Sequence, residues 1–333
     1  MISSALRRIK LGRLDAVGVG LAAALAAWIA VSAAVGDGNP LPQIALLVMT
    51  CAAYAAGRHF GNDRQSTVRA AASVVLAILM GVVLSGPDAL SGAPLAPPLG
   101  YGNANGSLYV LGAAAAVLVA LSAKPETVRA TAGLFAGVFL FLAAMTLSKA
   151  ATALAMGLIL VTLVIRQLPR WFVFAGPLVI TGTFAVTAAL GLTHGRSIAP
   201  SLVDQLSERR SQLWRESIEI IAANPVFGVG PGMFAHKSPT AMSDSDARWA
   251  HSAYFQVATE LGVVALVLLG LLLLWVFVAI YRSQQSDRLA IIGAAAVTAL
   301  AVHAAIDYIA HFPAVVAIAA LLAGLTSSRQ APG

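Results

Sequence analysis

The chain is poor in charge and almost devoid of cysteine. Only 11% of its 333 residues are Asp, Glu, Lys or Arg, where a soluble domain carries about 25%. With 59% hydrophobic residues and a mean hydropathy of +0.84, there is too little polar surface to coat one water-soluble core. The composition describes a polytopic membrane protein. The single cysteine, Cys51, excludes an intrachain disulfide, and its place in an apolar run reads as inert packing. Short alternating segments are also missing; the long runs of Ala, Leu, Val and Gly exclude a β-barrel. The net charge of +7 invites a nucleic-acid partner, but the positions of the charges assign it another purpose.

Ten apolar runs approach spanning length: 15–35, 41–57, 68–86, 105–121, 127–147, 150–165, 171–192, 253–281, 289–309 and 312–326. The fold class is therefore all-α, with about ten transmembrane helices. The first run follows the basic head "RRIKLGR" and lacks a cleavage site, so it reads as a retained helix. When the connections are alternated across the membrane, 14 of the 21 Lys and Arg fall on one side. The short loops opposite, 36–40, 87–104 and 310–311, hold none. Short loops carry the positive-inside signal, so both termini are expected in the cytoplasm. The chain divides into helices 1–7 (1–192), an extracytoplasmic segment (193–252), and helices 8–10 with a short tail (253–333).

The long polar segment is patterned. "SLVDQLSERRSQLWRESIEIIAANP" (201–225) reads as an amphipathic helix stopped near Asn224-Pro225. With Leu206 at zero and 100° per residue, Leu213, Trp214, Ile218, Ile220 and Ile221 share an apolar face, and Glu208, Gln212, Arg215, Glu216 and Glu219 oppose it. Arg210 lands at about +40°, within the apolar face, and Arg209 at its border. An inward guanidinium needs an anionic ligand or an internal carboxylate, unless it snorkels to water. "NPVFGVGPGMF" (224–234) lacks the strand and the Lys-Ser/Thr of a phosphate loop. It reads as a tight glycine turn that redirects the chain along the membrane surface. "DSD" (244–246) offers two carboxylates without further ligands, which reads as a solvated turn, so no metal is assigned.

Ionisable residues within membrane helices raise a functional hypothesis by default. His303, Asp307 and His311 are spaced four apart, as on one helix face. Glu260 and Gln256 share a face of the eighth helix, and Asn103 and Asn105 open the fourth. Lys149 stands at the start of the sixth. Two readings stay open: interhelical bonding, for example Asp307 with Lys149, or direct participation in chemistry.

Several stretches, taken in order, resemble the bacterial O-antigen ligase and O-antigen polymerase superfamily of membrane glycosyltransferases. "GNAN" (102–105) looks like its Gly-Asn-Pro-Asn turn, and "LSKA" (147–150) like its Ser-Arg pair. "RSQLWRESIEIIAANPVFGVGPGMF" (210–234) resembles its Arg-x-x-x-Trp helix and glycine turn. "HSAYFQVATELG" (251–262) resembles its His-Asn-x-Tyr/Phe-Leu segment and following Glu-x-Gly. Three positions depart: Lys149 for Arg, Ser252 for Asn, Ala104 for Pro.

The resemblance implies a transferase at the outer face of the bacterial inner membrane, serving surface polysaccharide and lipopolysaccharide biosynthesis. Its donor is an undecaprenyl-pyrophosphate-linked glycan and its acceptor another glycan or lipid A–core, with no metal, nucleotide or other cofactor. It assigns His251 and Arg210 as catalytic, with Arg210, Lys149 and Arg209 towards the pyrophosphate. Trp214, Tyr254, Glu260, His303, Asp307 and Asn105 are expected in support. Imidazole suits general-base work near neutral pH, and cations suit a departing pyrophosphate. The rival classes are a transporter or lipid flippase, and a degenerate, non-catalytic family member. No internal repeat favours the transporter.

Overall fold

The computed structural model describes residues 12–193, 208–244 and 247–328, and within them every element is helical. The helices are α1 (Arg13–Val35), α2 (Leu41–Phe60), α3 (Arg64–Ser85), α4 (Gly102–Ser122), α5 (Glu126–Met145), α6 (Lys149–Val164) and α7 (Ala175–Thr193). They continue as α8 (Glu208–Ala223), α9 (Phe234–Lys237), α10 (Pro239–Ser243), α11 (Ala253–Tyr281), α12 (Asp287–Ile306) and α13 (Pro313–Ser327). Each of the ten apolar runs is thus a helix. Seven helical stretches are long and apolar enough to cross a membrane. They contain α1, α3, α4, α5, α7, α11 and α12. The apolar helices α6 and α13 are shorter, at 16 and 15 residues, and α2 is not among the seven.

Small side chains determine which helix sits in the centre. Gly106, Gly112 and the run Ala113–Ala116 leave α4 thin, so neighbouring backbones approach closely. A Cβ at Gly112 would meet Ile78 and Phe139 at 3.1 Å, and one at Gly106 would strike Ala151. Accordingly α4 is buried along its length among α3, α5, α6, α12 and α13. Outward-facing Leu76, Leu134, Leu163 and Leu178 are exposed on the surrounding helices, as a lipid-facing surface requires. Cys51 is also exposed on α2; it faces outward rather than filling the interior.

The glycine turn at 224–234 is exposed at Asn224–Phe227 and buried at Val229–Pro231, so it does more than redirect the chain. It plugs a break in α11. Gly262 interrupts that helix with φ 79° and ψ 173°, which leaves backbone groups without helical partners. The turn supplies them: Val229 N donates to Thr259 O at 3.0 Å, Gly230 N to Glu260 O at 2.9 Å, and Val263 N to Pro225 O at 2.8 Å. A Cβ on Gly262 would fall 1.8 Å from Val226 O, so only glycine permits this approach. Buried Glu260 fastens the same joint, accepting from Gln43 Nε2 and Gln256 Nε2, each at 2.6 Å. Non-helical backbone at membrane depth is tolerated where protein satisfies it in this way.

Candidate active site

The described part of the amphipathic helix, α8, begins at Glu208 and ends at Ala223, one residue before Asn224-Pro225; Leu206 lies outside the described residues. Its apolar face is seated as the periodicity requires. Leu213 and Trp214 are fully buried with Leu190, Phe234 and Phe255. Its other face is exposed at Glu208, Gln212 and Glu219, as the wheel requires, but not at Glu216. Glu216 is buried and accepts from Ser238 Oγ and from Thr240 Oγ1 at 2.6 Å. α9 and α10 fold over that side, and Ser238 caps α10. The wheel places Glu216 with the solvated residues because it carries no information on the chain that returns across it.

Arg210 projects from α8 to the C-terminal end of α12. Its Nη1 donates to Ile306 O at 3.2 Å and its Nη2 to Asp307 Oδ2 at 3.1 Å. The internal carboxylate that an inward guanidinium demands is therefore Asp307. Lys149 does not pair with it.

Asp307 is the hub of the site. α12 ends at Ile306, and Asp307 turns to extended backbone. His303, Asp307 and His311 consequently do not share a helical face; His311 sits on a separate 3₁₀ turn, Ile309–His311. The Asp307 side chain is 1% exposed. It accepts from Tyr101 Oη at 2.9 Å and 3.0 Å, from Asn103 Nδ2, and from Tyr308 N at 2.7 Å, besides Arg210. Burial alone raises a carboxyl's pKa, but here the adjoining His251 ring and the Arg210 charge outweigh it. Asp307 is held down at about 2, and stays ionised. Tyr101 responds oppositely: burial and the neighbouring Asp307 charge push its phenol up, so it remains a donor.

His251 approaches Asp307 from the other side. Its Nδ1 lies 3.3 Å from Asp307 Oδ1, an ion-pair distance without hydrogen-bond alignment. The residue holds a left-handed φ of 48°, a conformation uncommon outside glycine, in which Asn, Asp and His are the enriched side chains. Two contacts and a helix cap surround it. Trp214 Nε1 donates to His251 O at 3.2 Å. Tyr308 meets the imidazole edge-on, centroids 4.8 Å apart. Ser252, one residue on, is the N-cap of α11. The preceding Ala250 N donates to Gln256 Oε1 at 2.8 Å, which links His251's strand of chain to Glu260 and the glycine turn.

The remaining expected residues separate by role. Tyr254 donates to Ala301 O at 3.0 Å and ties α11 to α12. Buried His303 bonds Ser107 at 2.6 Å. Asn105 accepts from Leu99 N and donates to Ala96 O, shaping the 96–99 loop without touching Asp307. Glu260 serves the glycine turn. Arg209 pairs with Asp244, away from the Asp307 cluster; Asp246 lies outside the described residues. Lys149 is exposed at the N-terminus of α6, where Ser148 and Ala151 pack on Gly106 of α4. It therefore stands at the site's end of the bundle, without an ion pair among the described residues. Tyr101 and Tyr308 escape sequence reasoning as hub donors, whereas Asn103 was marked with Asn105 at the start of α4 and is the one of the two that reaches Asp307. No group of His, Cys, Asp and Glu suited to a metal occurs among the described residues.

These features define a multi-pass helical membrane protein with a charged site at the ends of α4, α8, α11 and α12. Residues 132–270 match the family described as O-Antigen ligase. The match supports the O-antigen ligase and polymerase superfamily, and it spans Lys149, Arg210 and His251. Tyr101, Asn103 and Asp307 lie outside the matched stretch. No curated protein and no solved structure matches the chain.

Proposed function

We propose that the protein transfers a lipid-linked oligosaccharide from undecaprenyl pyrophosphate to a sugar hydroxyl, at the outer face of the bacterial inner membrane. The observation that carries this reading is Asp307 shared between Arg210 and His251, within 3.1 Å of one and 3.3 Å of the other. The carboxylate orients both. With Asp307 at Nδ1, the favoured tautomer places the ring proton there and leaves the Nε2 lone pair to accept the acceptor's hydroxyl proton. Arg210 uses Nη1 and Nη2 for Ile306 and Asp307 and retains further N–H donors for a pyrophosphate oxygen. Lys149 adds a second positive charge as the pyrophosphate leaves.

In the reaction the acceptor oxygen forms a bond to the anomeric carbon as the bond to the pyrophosphate oxygen breaks. The hydroxyl proton passes to His251, and the electron pair leaves with the lipid pyrophosphate. Direct displacement inverts the anomeric centre. Both termini lie in the cytoplasm in this reading, in keeping with the distribution of Lys and Arg.

The test is product formation by purified protein from a lipid-linked glycan and an acceptor, in detergent and without an ion gradient. His251→Ala and Arg210→Ala are expected to lose transfer by at least about a hundredfold. Normal transfer by either correctly folded variant would sink the assignment.

A further inference from the structure

At the opposite end of the bundle a cavity of about 390 Å³ opens between the start of α1, the end of α2 and the end of α11. Arg13, Arg58 and Arg282 line it, together with Asp15, Gln284 and Ser327. Its charges are unbalanced. Arg58 is bound to Asp15 at 2.9 Å, whereas Arg13 and Arg282 have no acidic partner among the described residues.

The floor of the cavity is built rather than incidental. Tyr54 Oη and Ser327 Oγ lie 2.8 Å apart, joining α2 to α13 beside Arg58. A Cβ at Gly57 would strike Leu321 O, so α2 and α13 are held in close contact. Trp275 Nε1 donates to Leu14 O at 2.7 Å and fixes the start of α1 against α11. Arg13 and Arg282 are thereby brought to one opening from chain positions 269 residues apart.

Arginines at such an end set orientation in any membrane protein. Orientation alone does not require three of them, from three helices, to face one polar cavity. We infer that this cavity binds a phosphate-bearing anion, the headgroup of an anionic phospholipid of that leaflet, between Arg13 and Arg282. Guanidinium forks match phosphate oxygens, and basic pockets between membrane helices take up such headgroups. The 29-residue α11 separates this cavity from His251 by roughly 40 Å at about 1.5 Å per residue. The cavity therefore shares no residue with the Asp307 cluster.

The full chain, purified in detergent, can be titrated separately with cardiolipin, phosphatidylglycerol, phosphatidylcholine and inorganic phosphate, with thermal unfolding and native mass spectrometry as readouts. The anionic lipids are expected to bind roughly tenfold or more tighter than phosphatidylcholine, and Arg13→Gln/Arg282→Gln to lose that preference. Arg129→Gln, an exposed arginine outside the cavity, is expected to retain it. Stabilisation by inorganic phosphate alone, lost in the same double variant, would assign the cavity to a soluble phosphate. Equal binding of all lipids, unchanged preference in a folded double variant, or an equal loss in Arg129→Gln would each overturn the inference. Should the double variant fail to fold, Arg282→Gln alone carries the same comparison.

Discussion

Arg210 Nη2 and Asp307 Oδ2 stand 3.1 Å apart, across 97 positions of sequence. The pair joins the amphipathic helix α8 to the end of α12, and Asp307 is almost wholly buried. Breaking a buried pair from one side strands the remaining charge, at about 3–5 kcal/mol. Arg210→Ala should therefore destabilise the protein. Arg210→Ala/Asp307→Ala should cost distinctly less than the sum of the single variants, because neither charge is then orphaned. Thermal unfolding in detergent measures the cycle; strict additivity would show the pair to be uncoupled.

The acid response follows from the same carboxylate. Its pKa is about 2 in the folded protein, against an ordinary value of 3.8. A depressed carboxyl contributes stability that is fully present above its unfolded value and disappears as pH falls through its folded value. The contribution, about 2 kcal/mol, should be intact above about pH 4 and lost between about pH 4 and 2. Stability against pH, compared between wild type and Asp307→Asn, checks this: the variant should lack that component of the acid loss.

His251 allows fold and chemistry to be separated. Asn tolerates a left-handed φ better than most residues, and the native residue holds φ 48°. His251→Asn should keep stability within about 1 kcal/mol while transfer falls by at least about a hundredfold. Transfer near the wild-type rate would remove the imidazole from the mechanism.

Gly262→Ala tests the plugged break in α11. The substituted Cβ meets Val226 O in a backbone conformation that L residues rarely adopt. Expulsion of the glycine turn should cost about 1–3 kcal/mol or more and expose the 224–234 segment to limited proteolysis. A variant that resists protease as well as the wild type would show that the turn is not held by this approach.

Lys149 is exposed and lacks an ion pair among the described residues, so Lys149→Ala should leave the melting temperature nearly unchanged. Transfer should nevertheless drop by about tenfold or more, with Lys149→Arg recovering most of it. A fall in stability that parallels the fall in rate would recast Lys149 as a structural residue.

Much of this site was legible in the chain. The 3.6-residue period turns Arg210 inward because an apolar stripe must be buried, and the structure buries that stripe against Phe234 and Phe255. The partner of Arg210 was not legible. Spacing of four suggests that His303, Asp307 and His311 share a face, but the helix stops at Ile306, where the following chain turns to pack Tyr308 between Tyr101 and Trp249. Periodicity is blind to where a helix yields to tertiary packing. Glu216 illustrates the same limit on α8, and Asn103 rather than Asn105 reaches the carboxylate.

By itself the sequence determined the membrane class and the ten helical runs. Those properties follow from local composition, because apolar length and charge position govern what a bilayer admits. Tertiary structure alone decided that Asp307 binds Arg210 and faces His251, that Lys149 has no ion pair among the described residues, and that the glycine turn closes a broken helix. These depend on which distant buried groups must satisfy one another once water is excluded, and no local pattern encodes that pairing.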